Sequence, residues 1–260
     1  GVKVEATLHT YPLPESVEYG CFGFKSIREA ARAFYMIQRT RIPEDMAIAC
    51  DRYTIEFAFP EYAELYPDVE ALIVYVVEGY SSTAVRANSE YCGKLARESG
   101  GRDLGAFIPK AYWEGMFEIT HQTFKGRTWA NCCHLLPTAR IPEAVERAHQ
   151  ILEEVRKLVD VDHTIVAIAA GHGKVSFPIT IYFSDRTREE LERGLRAWSM
   201  ILRRVVEYGG CPYWLGPPWY RVATPAYKPP YYMTLLKVKR ALDPNNIMNP
   251  GAFQLPEVLA

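Results

Sequence analysis

The segment HTIVAIAAGHGKVSFPITIYF (residues 163–183) predicts a β-hairpin, because two apolar runs of strand length flank a Gly-His-Gly turn at 171–173. Before the hairpin, RTWANCCHLLP (127–137) predicts a strand and IPEAVERAHQILEEVRKL (141–158) predicts a helix. After it, residues 187–210 predict a long amphipathic helix that ends at glycines. The resulting order, β-α-β-β-α, is that of an open split βαβ, ferredoxin-like unit.

The preceding part of the chain has a related order. Strands are predicted at 17–24, 45–51 and 70–79, and helices at 26–40, where Ser26 is the N-cap, and at 81–99. A further, irregular helix is predicted at 110–124. We therefore predict an α+β fold in which the two units merge their strands into one antiparallel sheet covered by helices on one face.

The segment CPYWLGPPWYRVATPAYKPPYY (211–232) is rich in aromatic residues and contains six prolines. Proline is excluded from helix interiors and central strands, so this segment is predicted to be a long loop, which favours a functional role. A last helix is predicted at 231–242, and it ends at Asp243-Pro244. The predicted organisation has three parts: 1–15, a ferredoxin-like domain at 16–210, and the loop, helix and tail at 211–260.

The composition is that of a globular protein, with 48% hydrophobic and 23% charged residues. Thirty basic and 31 acidic residues give a net charge of −1, which gives no electrostatic reason to expect nucleic acid as a partner. No apolar run reaches about 18 residues, so no membrane span is predicted. The six cysteines form no C-x-x-C pair, which argues against zinc and iron–sulfur frameworks. Scattered single cysteines are typical of buried thiols in a reducing cytoplasm, where we expect the protein.

The first residues, GVKVEATLHTYPLPE (1–15), alternate apolar and polar side chains between Val2 and Leu8, as in a half-buried strand. A strand needs a neighbour with which to pair. We therefore expect that preceding sequence has been removed or lies on another chain.

Both ends of the chain resemble one family. GVKVEATLHTYPLPE resembles the strand and exit that close the FAD-binding domain of vanillyl-alcohol-oxidase-type flavoproteins, especially their glycolate oxidase and D-lactate dehydrogenase branch. LDPNNIMNPGAF (242–253) is similar to the segment with which that family returns to its flavin domain. Between these ends the family has a ferredoxin-like cap domain, as predicted here. The resemblance implies FAD as cofactor and an FAD-binding N-terminal half as partner, whether a separate chain or a removed segment. It also implies cofactor contacts from Gly1, Val2, Val4 and Asn249.

The resemblance implies an FAD-dependent oxidoreductase that removes a hydride from a small 2-hydroxy acid. Three alternatives stay open: oxidation of a phenolic alcohol, a non-catalytic cap subunit, and an enzyme similar to alkyldihydroxyacetonephosphate synthase. VEYGCFGFKSIREAA (17–31) is similar to that synthase.

The hairpin sequence AAGHGKVSF departs from the metal-dependent hydroxy-acid branch, which binds a divalent metal through two histidines at this place. Ala169 and Ser176 stand at those two positions, and residues 209–217 lack the carboxylate of the third ligand. We therefore expect no metal at this hairpin. His172 is either a solvated turn residue or a catalytic acid, base or substrate donor. Lys174 is a candidate contact for a substrate anion.

Tyr220 and Arg221 match a Tyr-Arg pair that holds the substrate phenolate in the phenol-oxidising branch. Arginine is always charged and binds a carboxylate or phenolate in a forked manner. We name both residues as catalytic candidates, with Trp219 and Tyr227 as substrate-binding neighbours. The alternative is that Arg221 stacks on Trp219 or Tyr227 for packing alone.

Two other histidines are weaker candidates. His134 follows Cys133 in a predicted strand and is interpreted as a core or edge histidine rather than a site residue. His121 is a conceivable point of flavin attachment, because some relatives tether the flavin in the cap.

Overall fold

A computed structural model describes residues 4–8, 10, 12–43, 45–115, 127–171, 173–213, 216–224 and 227–252. Its strands are β1 (Ser16–Phe24), β2 (Asp45–Ala49), β3 (Ala71–Gly79), β4 (Arg102–Asp103), β5 (Thr128–Pro137), β6 (Asp162–Ala169), β7 (Lys174–Phe183) and β8 (Cys211–Pro212). Its α-helices are α1 (Ile27–Thr40), α2 (Arg52–Ala58), α3 (Pro60–Leu65), α4 (Ser82–Glu98), α5 (Phe107–Glu114), α6 (Ile141–Arg156), α7 (Arg188–Glu207), α8 (Pro217–Ala223) and α9 (Pro229–Leu242).

All strands join one sheet in the order β4-β1-β3-β2-β6-β7-β5-β8, and every neighbouring pair is antiparallel. The pairing of β2 with β6 joins the two halves of the chain. The predicted α+β fold with one merged antiparallel sheet is therefore confirmed.

Local sequence signals account for the helix starts. The Ser26 side chain accepts a hydrogen bond from the Glu29 amide at the start of α1. At the start of α7, Thr187 and Glu190 form a reciprocal capping box. Such caps satisfy amide groups that have no partner within the helix, and each contributes about 1 kcal/mol.

The two faces of the sheet are covered unequally. The long helices α1, α4, α6 and α7 bury one face, where Phe22, Ile48 and Phe177 alternate with residues that point to the other side. The short helices α2, α3 and α5 cover part of the second face through Ile55, Ala63 and Ile108. The second face therefore has a smaller apolar core, and it leaves polar side chains of β5, β6 and β7 away from the long helices.

The strand predicted at residues 2–8 is wrong for the described part of that segment. Residues 4–8 form no strand, and Val4 and Leu8 are 93% and 80% exposed. Alternation predicts a strand only if a neighbour supplies hydrogen bonds, and residues 4–8 pair with no described strand.

Residues 45–51 are only partly the predicted strand. The strand β2 ends at Ala49, and Asp51 instead caps α2 by accepting a hydrogen bond from the Thr54 amide at 2.9 Å. Both α2 and the following α3 went unpredicted, because helices of seven and six residues are too short to show a clear helical period.

The segment 211–232 is more regular than predicted. It contains the edge strand β8 and the short helix α8, and α9 begins at Pro229 rather than at 231. Prolines occupy the first turns of both helices, where the missing amide would have no helical partner.

Five of the six cysteines are buried free thiols, and Cys211 is exposed. Burial raises the pKa of the thiol of Cys92 to about 11, so this side chain is an unreactive thiol at neutral pH. No helix in the described ranges is long and apolar enough to cross a bilayer.

Candidate functional site

The short helix α8 presents the predicted Tyr-Arg pair at the surface. Pro217 and Pro218 form its first turn, and it packs on α7. Trp219 is only 2% exposed and belongs to the main core, which anchors the helix. The next two residues turn away from that core, so Tyr220 is half-buried and Arg221 is exposed.

Tyr227 lies in the same neighbourhood as Tyr220. Its ring meets that of Tyr231 edge-on, with the ring centroids 5.2 Å apart. The pKa of Tyr227 is raised mainly by burial, and further by the nearby Tyr231, Cys211 and Tyr220 side chains. Two residues that the sequence nominated are thus brought together, and Tyr231 joins them without having been predicted. We call Tyr220, Arg221, Tyr227 and Tyr231 the tyrosine–arginine surface.

Trp219 differs from its neighbours on α8. Its indole Nε1–H is buried and has no hydrogen-bond partner among the described residues, and a buried donor without a partner costs about 1–3 kcal/mol relative to a satisfied one. A side chain this deeply buried does not line an exposed binding surface. In the structure Trp219 anchors α8 in the core, whereas the sequence predicted it to contact the substrate.

The predicted hairpin of β6 and β7 is confirmed, with Gly171 and Gly173 at φ +85° and +66°. Lys174 is exposed at the first position of β7, and His172 lies outside the described residues. Gln38 of α1 holds the turn: its Nε2 donates to the carbonyls of Gly171 at 2.9 Å and Lys174 at 2.7 Å. The sequence did not single out Gln38, because one amide among the apolar residues of a helix carries no distinguishing local signal.

Thr138 completes this clamp. Its hydroxyl donates to Gln38 Oε1 at 2.6 Å, and its amide donates to the Gly173 carbonyl at 2.9 Å. Three hydrogen bonds thus connect the turn to residues 38 and 138, and a fourth joins these two residues to each other. These bonds hold Gly171, Gly173 and Lys174 in place relative to α1.

The metal-dependent hydroxy-acid branch has histidine ligands at two positions of this hairpin, and this chain has other residues there. Ala169 has no ligand atom, and the Ser176 hydroxyl lies 2.9 Å from the Cys133 sulfur. Neither side chain offers the imidazole that such a site needs. The donor set of that branch therefore does not fit these residues.

A row of polar side chains crosses β5, β7 and β6 on the second face of the sheet. The register places Asn131 opposite Thr180, and Thr180 opposite Thr164. Both threonines are buried, and Asn131 Oδ1 is buried with no hydrogen-bond partner in the part of the chain that the structure describes. The sequence did not nominate this row, because threonine is common in strands and the convergence depends on register.

His134 is confirmed as a core histidine. It is fully buried on β5, and Tyr208 at the end of α7 lies within hydrogen-bond distance of its ring. Its burial excludes a role at an exposed substrate site. His121 lies outside the described residues.

The C-terminal turn is organised by Asp243. Its carboxylate accepts hydrogen bonds from the amides of Ile247 and Met248, each at 2.9 Å, and it pairs with Lys239. The bond from Lys239 is the main reason that the pKa of Asp243 falls to about 2. Asn249 follows in the left-handed region at φ +49°, a conformation that asparagine tolerates. Of the other predicted cofactor contacts, Val4 is exposed, and Gly1 and Val2 lie outside the described residues.

Comparison with known proteins gives one family. The model described as FAD linked oxidases, C-terminal domain, matches residues 13–213 and 224–253. A curated protein of Danio rerio, probable D-lactate dehydrogenase, mitochondrial, is 22% identical over 270 residues, which cover 96% of this chain and 51% of that protein. The chain thus spans about half the length of this relative.

Solved structures of low identity share the fold. A p-cresol methylhydroxylase with substrate bound has a TM-score of 0.74 at 15% identity, covering 95% of this chain and 54% of the other. A 4-ethylphenol oxidase from Gulosibacter chungangensis, in complex with isoeugenol, has a TM-score of 0.73 at 11% identity, with coverages of 95% and 55%. An alkyldihydroxyacetonephosphate synthase has a TM-score of 0.64 at 12% identity, with coverages of 92% and 45%.

Proposed function

The chain belongs to the FAD-linked oxidases, whose C-terminal domain it carries, and on this premise we propose that it is the substrate-side cap of an FAD-dependent oxidoreductase acting on a 2-hydroxy acid. Bound FAD supplies the acceptor for a hydride from the carbon that bears the hydroxyl group. The residues of this chain bind the substrate anion and orient it. The D-lactate dehydrogenase relative supports this substrate class.

The observation that carries the proposal is the tyrosine–arginine surface. Arg221 is exposed and follows the half-buried Tyr220 on α8, and its guanidinium can bind both oxygens of a carboxylate in a forked manner. The phenol groups can donate hydrogen bonds to the same anion. Lys174, exposed at the hairpin, is a second positively charged candidate for contact with the substrate anion. His172 remains a candidate catalytic acid or base.

We further propose that both ends of the chain contact an FAD-binding half. Exposed apolar side chains are concentrated there: Val4, Leu8, Leu13, Leu242 and Ile247 are 72–93% exposed. Apolar side chains in such number at a surface mark contacts with another protein or domain. Asn249 lies in the same C-terminal turn as Ile247, which agrees with its predicted place near the cofactor.

Location in the cytoplasm stays a prediction.

A phenolic alcohol is the second candidate substrate. The observation that favours it is the grouping of Tyr220, Tyr227 and Tyr231, because a surface with several aromatic rings also suits the ring of a phenolic substrate. The non-catalytic cap and the ether-forming synthase are outcomes that the experiment below would reveal.

The test uses the intact flavoprotein, made of this chain with its FAD-binding half. Under anaerobic conditions, lactate, glycolate, p-cresol and vanillyl alcohol are added in turn, and the visible flavin absorbance is followed. Bleaching by a hydroxy acid alone is the expected result. Bleaching by the phenols alone would replace the first candidate by the second. A flavin that binds but is bleached by neither class would contradict both and would favour a non-catalytic cap or an exchange reaction without net oxidation.

A further inference from the structure

Three metal-ligating side chains converge where β2 ends and β6 begins. Asp51 precedes α2, His149 lies on α6 and His163 lies on β6, and their ligand atoms are all within 4.8 Å of one another. His149 Nε2 is 2.7 Å and His163 Nε2 is 3.0 Å from the same oxygen, Asp51 Oδ2. Within the described ranges this is the one such group. We propose that it binds a divalent transition-metal ion of the zinc class.

Two of the three ligands are held in place before any ion arrives. Asp51 is 8% exposed, and its Oδ1 accepts the Thr54 amide, which leaves Oδ2 directed at the two imidazoles. His163 is 2% exposed, and the Tyr53 ring stacks on it with the centroids 4.2 Å apart. A buried carboxylate and a buried imidazole held this way are costly to arrange without a partner, and a fixed donor set lowers the entropic cost of binding an ion.

The third ligand gives the ion access. The His149 side chain is 46% exposed, so an ion can enter from solvent past this ring. The same open side leaves room for a water molecule as fourth ligand, as in three-ligand zinc sites. The site is therefore open on one side and closed by Asp51 and His163 on the other.

The donor atoms determine the class of ion. Two imidazole nitrogens and one carboxylate oxygen suit zinc, cobalt or nickel, whereas magnesium and calcium prefer oxygen donors throughout. Tetrahedral bonds of about 2.1 Å separate ligand atoms by about 3.3 Å. The present separations of 2.7 and 3.0 Å require the rings to withdraw by less than about 1 Å.

Arg156 competes with the ion. Its Nη2 lies 2.8 Å from His163 Nδ1, and a guanidinium can only donate, so the proton of this neutral ring is on Nε2 and points at Asp51. Metal binding at Nε2 requires that proton to move to Nδ1, and Arg156 must then leave. Arg156 is exposed, so it can move into solvent, although it then also leaves the Tyr53 ring, whose centroid lies 5.5 Å from its Cζ. Replacing it with glutamine removes the positive charge and provides an amide oxygen that can accept the Nδ1 proton, the usual support of a metal-bound histidine.

The test is a titration of the intact protein with ZnCl2 and CoCl2 after chelator treatment and dialysis. Binding is measured by calorimetry and, for cobalt, by its visible absorption. One ion per chain is expected, with a cobalt spectrum of nitrogen and oxygen ligation. His149→Ala should weaken binding at least tenfold, and Arg156→Gln should tighten it by about tenfold or more. Gln150→Ala, an exposed neighbour of His149 on α6, is the matched control and should change nothing.

The proposal is overturned if no saturable binding occurs, or if His149→Ala binds as tightly as the natural chain. The first result would make the cluster a relay of hydrogen bonds from Arg156 to Asp51, and the second would locate the ion elsewhere. His149→Ala is chosen because this side chain is half-exposed, so the variant should fold; its unfolding temperature without metal checks this. The measurement needs neither flavin nor substrate and is independent of the proposed oxidoreductase activity.

Discussion

His134 Nε2 lies 2.5 Å from the Tyr208 hydroxyl, so a buried histidine on β5 accepts a hydrogen bond from the residue that ends α7. Its Nδ1 lies 3.4 Å from the Cys132 carbonyl, and the Phe177 ring packs edge-on against it. Burial lowers the pKa of His134 to about 4. The ring is therefore neutral at physiological pH, and both of its nitrogens have partners.

This pKa makes stability depend on pH. In the unfolded chain the histidine binds a proton below about pH 6.5, whereas in the folded chain it does so only below about 4. Between these values the unfolded state binds more protons, so the free energy of unfolding falls on acidification from about 6.5 to 4, by about 3 kcal/mol. Urea unfolding at several pH values in this window measures the slope. His134→Gln should reduce it, and an unchanged slope would contradict the assignment.

The clamp on the β6–β7 turn predicts a loss of local order when its donors are removed. Gln38→Glu keeps an acceptor for Thr138 but cannot donate to the carbonyls of Gly171 and Lys174. Two lost hydrogen bonds and a buried charge should lower the free energy of unfolding by about 2–4 kcal/mol. Amide exchange at Ala170, which bonds to the Lys174 carbonyl, should accelerate. Gln150→Glu, exposed on α6, is the control; equal effects of the two would exclude a clamp.

At Gly194, within α7, helix propensity and side-chain packing predict opposite effects of a substitution to alanine on stability. Glycine to alanine in a helix stabilises by up to about 1 kcal/mol, but a Cβ at this position would lie 2.1 Å from Phe183 Cε2. Because Phe183 is fully buried, overpacking of about 1–3 kcal/mol should dominate and destabilise the variant. At Gly93 of α4, by contrast, the nearest atom is 3.2 Å away, so Gly93→Ala should be closer to neutral. Thermal unfolding of both variants compares them, and a stabilised Gly194→Ala would show that Phe183 can move.

Arg221 is expected to act on substrate binding. In the intact flavoprotein, Arg221→Ala should raise the half-saturating concentration of a carboxylate substrate at least tenfold, which corresponds to about 1.4 kcal/mol. Arg221→Lys should restore only part of this, because lysine lacks the forked geometry. Arg203→Ala, an exposed arginine on α7, should leave the kinetics unchanged. If Arg221→Ala and Arg203→Ala behave alike, the tyrosine–arginine surface is structural.

The sequence by itself determined most elements between residues 16 and 207. The Ser26 cap, the Gly-His-Gly turn and the strand and helix periods each depend on neighbours a few residues away, so they are readable locally. The same locality explains the errors. Residues 4–8 have the period of a strand, but hydrogen bonds from a neighbour decide whether one forms, and Asp51 resembles a strand end although its side chain caps α2.

Only the tertiary structure decided which side chains meet. Gln38 holds a carbonyl 133 residues away, and His149 and His163 reach Asp51 across 98 and 112 residues. Tyr231 contacts Tyr227, and Tyr227 lies near Tyr220, although Tyr220 is on α8 and Tyr231 is on α9. Such convergence depends on strand register and helix packing, which are set by the burial of the whole core and not by local sequence.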